Sequence, residues 1–280
     1  MNVMDKSIPV FILGSGRCGT FQIFKLLEGV DELEVHHEYL FENILKSAAL
    51  YRMNAIKNED VKNILKTTHR PAIHYTEEKF WVDSSNALPW IVEPLYEMFP
   101  NARFIHLIRD GRKVVSSFYN KFSEVVYDDR CVSIVNEWLE NPDIMPEPSP
   151  EKKYWRPFPV KGESFCNEFK EFNRFQRLCY YWQDVNISIR NSLKVIPETQ
   201  KMFVRLEDLT SDTEVLKGFL EMFDTEINDD FIEMLKRPVN VAVPKNFPLS
   251  QEQRKEFNGI CSNAMSIFGY DAEKEYDVIY

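Results

Sequence analysis

The chain has 280 residues, of which 44% are hydrophobic and 28% are charged, as in ordinary globular proteins. This length suits one large domain, which we expect to span residues 1–280. The net charge of −10 argues against nucleic acid and against anionic membrane surfaces as partners. No apolar run reaches the ~20 residues of a transmembrane helix. No signal-peptide pattern precedes the first predicted strand, so we expect a cytoplasmic protein.

The five cysteines are widely spaced and include no CxxC pair. This usage fits a reducing compartment and does not fit a structural zinc site. No group of His, Cys and carboxylate residues has the spacing of metal ligands, so we expect no metal cofactor.

Short apolar runs predict strands, and several are continuous, as expected for a parallel sheet covered on both faces. In chain order they are 9–13, 34–36, 80–83, 103–108 and 201–206. Helical stretches are predicted at 20–28, 38–52, 57–67, 88–99, 108–122, 167–193, 211–223, 229–235 and 250–268. The alternation of strands and helices predicts an α/β layered domain.

A glycine-rich turn, Gly14-Ser-Gly-Arg-Cys-Gly-Thr20, follows the first strand and opens the first helix. The backbone N–H groups of such a turn, with the helix N-terminus, form a cradle for an anion. A nucleoside-triphosphate loop ends in Gly-Lys-Ser/Thr, whereas this turn has Cys18 or Gly19 at the lysine position and carries Arg17 inside the turn. The turn therefore predicts an anionic ligand other than Mg-ATP. Tight packing without a ligand is the alternative.

A second strand–turn–helix unit is predicted at 101–119. Arg109 follows the strand at its carboxyl end, where open α/β sheets bind ligands, and Ser117 lies further along the helix. A guanidinium and a hydroxyl together suit a second phosphate.

The segment 128–163 is the least regular part of the chain and is rich in proline. It contains Lys152-Lys-Tyr-Trp-Arg-Pro157. We interpret this segment as a lid or a cap over an acceptor site. A surface excursion whose Trp155 packs back on the body is the alternative.

Together these residues resemble the sulfotransferase family that uses 3′-phosphoadenosine-5′-phosphosulfate (PAPS). The resemblance covers most of the chain. It is strongest at Gly14–Thr20 and Asp83–Phe118 and continues at Val204–Leu209 and Phe268–Tyr270. It implies a three-layer, P-loop-like α/β fold with a central, mostly parallel sheet flanked by helices. It also implies an enzyme that transfers a sulfuryl group from PAPS to an acceptor hydroxyl, releasing the bisphosphate PAP.

The resemblance implies roles for individual residues. Arg109 and Ser117 match the pair that holds the 3′-phosphate, Arg205 lies in a segment near the adenosine, and Lys245 falls where many members close the nucleotide site. The 5′-phosphosulfate loop is matched by Gly14, Ser15, Gly16, Arg17, Cys18, Gly19 and Thr20. Arg17 and the loop N–H groups would stabilise charge on the leaving oxygen.

The acceptor hydroxyl must lose a proton, so a base is needed near the sulfur. Glu38 is our first candidate and His37 is the runner-up, because they end the second predicted strand. Their position resembles the Glu-based branch of the family, represented by tyrosylprotein and bacterial glycolipid sulfotransferases. The alternatives are that Glu38 caps its helix and that His37 is a satisfied, partly buried side chain.

One departure from the family concerns Asp83-Ser-Ser-Asn86, near which many members place a Lys or His that assists the sulfuryl group. We expect Ser85 to supply a hydrogen bond there. The acceptor is expected to be a small molecule, a lipid headgroup or a saccharide. A P-loop small-molecule kinase and a catalytically inactive PAP-binding module stay open as other functions.

Overall fold

The computed structural model describes residues 6–122, 126–226, 231, 233 and 247–270. A sheet of five parallel strands lies at its centre, in the order β2-β3-β1-β4-β5. The strands are β1 (Ile8–Leu13), β2 (Leu33–His37), β3 (Phe80–Ser85), β4 (Arg103–Ile108) and β5 (Lys201–Arg205). Each predicted strand is therefore present, and the α/β class is confirmed.

Helices cover the sheet, with α8 packed against α6 and α11, and α1 lying against β2 and β3. The described helices are α1 (Thr20–Leu27), α2 (Phe41–Arg52), α3 (Asn58–Thr67), α4 (His69–Tyr75), α5 (Val92–Met98), α6 (Gly111–Lys121), α7 (Asp129–Glu140), α8 (Arg174–Ser192), α9 (Leu206–Ser211), α10 (Thr213–Glu221) and α11 (Gln251–Ile267). Within the part of the chain that the structure describes, none of them combines the length and the apolar character of a membrane span.

The parallel direction of the strands brings the segments that follow them to one edge of the sheet. Leu13 pairs with Ser85 at the ends of β1 and β3, and Ile108 pairs with Arg205 at the ends of β4 and β5. The central strands β1, β3 and β4 are buried almost throughout, because apolar residues occupy both of their faces. The rigid centre of the sheet therefore fixes where each following loop begins.

Three helices begin several residues later than predicted, each for a local reason. α2 begins at Phe41 and not at residue 38, since Glu38 and Leu40 adopt left-handed φ angles of 57° and 47° that a helix does not accept. α8 begins at Arg174 and not at residue 167, because the Asn173 side chain caps it. α5 likewise starts at residue 92, after a turn, and the predicted helix at 229–235 lies largely outside the described residues.

The segment 128–163 is more regular than predicted at its beginning. Residues 129–140 form α7, whose N-cap, Asp128, accepts a hydrogen bond from the N–H of Cys131. The prolines all follow this helix, so they do not oppose it. From residue 141 to residue 173 the chain forms no helix or strand.

The contact between α6 and α8 is close at Gly111, the first residue of α6. The indole of Trp182 is fully buried, and its Nε1–H donates to the carbonyl of Arg109 at 3.2 Å. A Cβ added to Gly111 would lie 2.8 Å from ring atoms of Trp182. Because a buried indole cannot turn aside, this contact fixes the start of α6 and with it the position of Arg109.

We expect Gly111→Ala to destabilise the protein by about 1–3 kcal/mol, because the new methyl group overpacks the Trp182 ring. Gly259→Ala is the matched control. Gly259 lies within α11, a Cβ there meets nothing within 4 Å, and alanine is the better helix former. Urea unfolding of both variants measures the free energies. Equal stability of Gly111→Ala and the unchanged protein would contradict the close contact.

Candidate functional site

A cavity of about 470 Å³ lies at the carboxyl edge of the sheet. Its volume suits a ligand of nucleotide size. Residues from the loops after β1, β2, β3 and β4, from α6 and from the segment after α7 line it. They are Gly16, Arg17, Gly19, Thr20, Phe21, Gln22, His37, Glu38, Phe41, Glu42, Asn86, Arg109, Phe118, Lys121, Phe122, Val126, Lys152, Arg156 and Leu206.

The glycine-rich turn forms one wall of the cavity and carries strained backbone. Gly16 and Arg17 are consecutive residues with positive φ, 72° and 56°. Left-handed residues in a turn create a concave backbone surface that is typical of anion sites. Gly19 has a φ of 102°, and a Cβ on it would lie 2.7 Å from the Leu206 side chain, so only glycine suits this position. The hydroxyl of Tyr181 donates to the Ser15 carbonyl at 2.9 Å and holds the turn from below.

Positive side chains gather beside this turn. The Nε of Arg17 donates to the Ser117 hydroxyl at 3.0 Å, and Arg109 Nη1 donates to the Arg17 carbonyl at 3.2 Å. Lys121 lies on the same side of the cavity. Burial lowers the pKa of Lys121, and the charges of Arg17 and Arg109 lower it further. Cations that repel one another at one wall favour a multiply charged anion there.

The two predicted anion sites are contiguous in this structure. Arg17, expected at the 5′ side, contacts Ser117, expected at the 3′ side. Ser117 itself is fully buried beneath Arg17 and does not line the cavity. Arg109 lines the cavity directly, whereas the Ser117 hydroxyl is covered by the Arg17 guanidinium.

Glu38 lies on the opposite wall, directly after β2. Its left-handed backbone, with the N–H donating to the Ser84 carbonyl at 3.2 Å, turns the chain at the sheet edge. The Nδ2 of Asn86 donates to Glu38 Oε1. The next residue, Tyr39, donates its N–H to the buried Asp83 carboxylate at 3.1 Å. Glu38 is thus held between two strands and does not cap α2.

The environment of Glu38 disfavours its charged form. Burial raises the pKa of Glu38 above its ordinary value, and the nearby Asp83 carboxylate also raises it. The charges of His37, Arg156 and Lys152 oppose this shift but do not cancel it. A carboxylate with a raised pKa, facing a cavity, has the character of a general base.

His37 also lines the cavity, in a well-defined orientation. Its Nδ1 lies 2.7 Å from the Ser84 carbonyl, which can only accept, so Nδ1 carries a proton and Nε2 is the ring nitrogen left to face a ligand. The ring contacts Phe21 and Phe24, with centroids 5.3 and 5.9 Å away. His37 therefore remains the second candidate for the base.

The segment after α7 completes the cavity with Lys152 and Arg156. Trp155, between them, is fully buried, and its Nε1–H donates to the Ser149 carbonyl at 2.8 Å. The Tyr127 hydroxyl donates to the Pro157 carbonyl at 2.7 Å on the other side. Trp155 is therefore buried in the body of the protein, while Lys152 and Arg156 line the cavity. That this segment caps an acceptor site stays a prediction.

The predicted site residues divide into four groups. Those that line the cavity are Gly16, Arg17, Gly19, Thr20, His37, Glu38 and Arg109. Those buried beneath its surface are Gly14, Ser15, Cys18 and Ser117, and burial raises the pKa of the Cys18 thiol. Arg205 lies outside the lining and pairs with Asp208 at 2.6 Å and with the Gly269 carbonyl at 2.9 Å. Lys245 lies outside the described residues.

Ser85 does not occupy the position expected of it. It is buried, its Oγ accepts the N–H of Ala87 at 3.1 Å, and it does not line the cavity. Asn86 does so in its place. Lys121, Lys152 and Arg156 are cavity residues that the sequence analysis did not assign.

A signal for Lys121 was present in the sequence, because it lies four residues after Ser117 on the same helix face. The Lys152–Pro157 motif marked the segment that supplies Lys152 and Arg156. Its spacing did not indicate which side chains turn toward the sheet edge. Among the described residues, no group of three His, Cys, Asp or Glu side chains is arranged to hold a metal ion.

Comparison with known families gives one match, to a sequence profile described as the sulfotransferase family, over residues 9–142. This match confirms the resemblance to the sulfotransferase family over that range, which includes the glycine-rich turn, Glu38, the Asp83–Asn86 segment and Arg109. A comparison with curated proteins finds no significant match.

Solved sulfotransferase structures resemble the whole fold at low sequence identity. A sulfotransferase from Mycobacterium avium is 11% identical with a TM-score of 0.50, and the match covers 96% of this chain and 79% of that one. This likeness confirms the sulfotransferase type of P-loop-like fold.

Two further structures are similar at lower TM-scores. The sulfotransferase domain of the Synechococcus PCC 7002 olefin synthase is 14% identical with a TM-score of 0.48, covering 95% of this chain and 96% of that one. A mouse sulfotransferase complexed with PAP is 12% identical with a TM-score of 0.44, covering 94% and 88%.

The raised pKa of Glu38 predicts a stability effect that needs no substrate. Between the ordinary carboxyl pKa and the raised one, the folded protein binds more protons than the unfolded chain, so stability falls as the pH rises through this window. Glu38→Gln keeps an oxygen for Asn86 but removes the titration. We expect the stability of the variant relative to the unchanged protein to grow with pH, by about 1.4 kcal/mol for each unit of pKa shift.

Melting temperatures of both proteins between pH 4 and pH 8 test this expectation. Glu42→Gln is the matched control, because Glu42 also lines the cavity but lies on α2. A stability of Glu38→Gln that falls relative to that of the unchanged protein as the pH rises would contradict the assignment of a raised pKa.

Proposed function

We propose that this chain transfers a sulfuryl group from PAPS to the hydroxyl of a small acceptor, because residues 9–142 match the profile of the sulfotransferase family. The supporting observation is that two kinds of group line one cavity of about 470 Å³ at the sheet edge. Cationic side chains beside the glycine-rich turn suit the phosphates of the nucleotide. The buried carboxylate of Glu38, on the other wall, suits the acceptor hydroxyl.

The described residues fit the nucleotide at both of its charged ends. The turn Gly14–Thr20 and Arg17 would hold the 5′-phosphosulfate, as in the family. Arg109, Ser117 and Lys121 would hold the 3′-phosphate, which is the group that separates PAPS from ATP. Guanidinium–phosphate contacts of this kind are charge-assisted and directional. Arg17 would have to leave the Ser117 hydroxyl for the two anion sites to be filled together.

The transfer itself is an in-line displacement at sulfur. The acceptor oxygen forms a bond to sulfur while the bond from sulfur to the bridging 5′-phosphate oxygen breaks, and its electron pair leaves with PAP. Glu38 takes the proton of the acceptor hydroxyl, and Arg17 with the loop N–H groups stabilises the charge that grows on the bridging oxygen. Positioning and electrostatics supply most of the catalysis in transfers of this type.

The cavity wall also bears on the acceptor. Phe21 and Phe41 add apolar surface on the side of His37 and Glu38, Phe122 adds it beside Arg17, and the exposed Lys152 adds a positive charge. We propose a small molecule, a lipid headgroup or a saccharide that presents a hydroxyl to Glu38.

We expect PAP to raise the melting temperature of the protein, and ADP and ATP with magnesium to raise it much less. The reason is the 3′-phosphate, which only PAP carries to Arg109. Arg109→Met is expected to remove this preference for PAP over ADP, whereas Arg190→Met, on the exposed face of α8, leaves it unchanged. A larger shift with ATP and magnesium than with PAP would instead favour a kinase.

We expect Glu38→Gln to lower the rate of sulfuryl transfer by about 10²–10⁴-fold, because the amide cannot take the acceptor proton. PAP affinity should stay the same, since Glu38 lies across the cavity from Arg109. The rate is measured with labelled PAPS and a panel of phenols, sugars and hydroxylated lipids. His37→Gln is the comparison: a large loss there, with full activity in Glu38→Gln, would make His37 the base.

A further inference from the structure

Arg156 is a buried cation beside the cavity, with only 6% of its surface exposed. Its Nη1 donates to the Oδ1 of Asn86 at 3.4 Å, and its guanidinium lies 5.4 Å from the centre of the Tyr181 ring. Its Nε has no hydrogen-bond acceptor among the described residues. Among the described residues, no carboxylate forms an ion pair with Arg156. The other interior arginines, Arg52, Arg112 and Arg177, each form at least one.

Those other arginines are each compensated. Arg52 pairs with Glu163 and Asp184, and Arg177 pairs with Asp129. An arginine keeps its charge in a protein, and burial of an ion without an ion-pair partner is strongly unfavourable. A hydrogen bond at 3.4 Å is at the outer limit of the useful range, and a cation–π contact does not replace the hydration that a buried guanidinium loses. The charge of Arg156 also acts on Glu38, but the two side chains are joined through Asn86, so no carboxylate among the described residues contacts the guanidinium directly.

The position of Arg156 indicates which anion would supply that partner. Asn86 accepts from Arg156 with its oxygen and donates to Glu38 with its nitrogen, so Arg156 lies on the side of the base. Arg109 and Ser117 lie on the opposite side, next to Arg17. A donor held between these walls would turn its transferring group toward Glu38, and so toward Arg156.

We propose that Arg156 is a catalytic residue that binds the oxygens of the sulfuryl group during transfer. The inference rests on the proposed function. As the sulfur leaves the bridging phosphate oxygen and meets the acceptor oxygen, the guanidinium stays against the equatorial sulfuryl oxygens and no proton moves to or from Arg156.

The test uses Arg156→Met, which fills similar volume against Tyr181 without a charge, and Arg156→Lys, which keeps a charge. Lys153→Gln is the control, because Lys153 belongs to the same segment but pairs with Glu151 outside the cavity lining. Three quantities are measured for each protein. They are the melting temperature without ligand, the dissociation constants of PAP and PAPS, and the rate of sulfate release from PAPS to water.

Arg156→Met should melt at or above the temperature of the unchanged protein, since an unpaired buried charge has been removed. It should bind PAP within about threefold of the unchanged protein and lose the preference for PAPS over PAP. Its sulfate release should fall by about 10²–10³-fold, as for the loss of one donor to a developing charge. Arg156→Lys should lie between the two, and Lys153→Gln should match the unchanged protein.

Each contrary result has a separate meaning. If the unchanged protein binds neither PAP nor PAPS, the proposed function fails, and this inference fails with it. If it binds both but Arg156→Met keeps the preference for PAPS and the rate, Arg156 does not touch the sulfuryl group. If Arg156→Met melts lower and loses PAP together with PAPS, Arg156 is structural. If only transfer to an anionic acceptor suffers, while release to water is unchanged, Arg156 binds the acceptor.

Discussion

The parallel direction of the five strands is the constraint on which the site depends. Because of it, the chain leaves the sheet at the same edge after every strand. Glu38, Asn86 and Arg109 therefore line one cavity although they lie far apart in sequence. Their separation is then set by the spacing of strands, which neither turns nor side chains can alter much. Side chains of the loops add only the final orientation. In such a site the backbone positions at the strand ends are rigid, whereas the tips of the side chains can still change orientation.

The electrostatics of the cavity are the reverse of those of the chain. The protein carries a net charge of −10, whereas the cavity wall has five cationic side chains and two carboxylates. Such a local reversal concentrates field lines at the opening and favours the capture of a small anion over a polyanion, which the acidic outer surface repels. It also explains why Glu38 can sit near cations and still hold its proton more tightly than usual, since burial is the dominant cause.

The strands and the glycine-rich turn could be predicted from the sequence because their signals are local. Continuous apolar runs mark the buried strands, and a glycine at a φ of 102° marks the turn that only glycine can make. The side chains that meet from distant segments could not be found in this way. Arg156 follows a proline-rich stretch, and no sequence pattern around Trp155 indicates that its side chain is buried. The left-handed backbone at Glu38 was missed because helix propensity favoured extending α2 backward.

The connection from residue 141 to residue 173 carries a consequence for the divergence of related proteins. Irregular connections usually tolerate insertions and substitutions better than any other part of a domain. Here one such connection is held by a buried indole, and the residue after that indole presents a guanidinium to Asn86, which also contacts Glu38. Descendants of this chain could exchange the stretch before Ser149 with little penalty. Rebuilding the stretch from Trp155 to Pro157 would displace the charge of Arg156 from the cavity, so changes in ligand preference should arise around a retained Trp155.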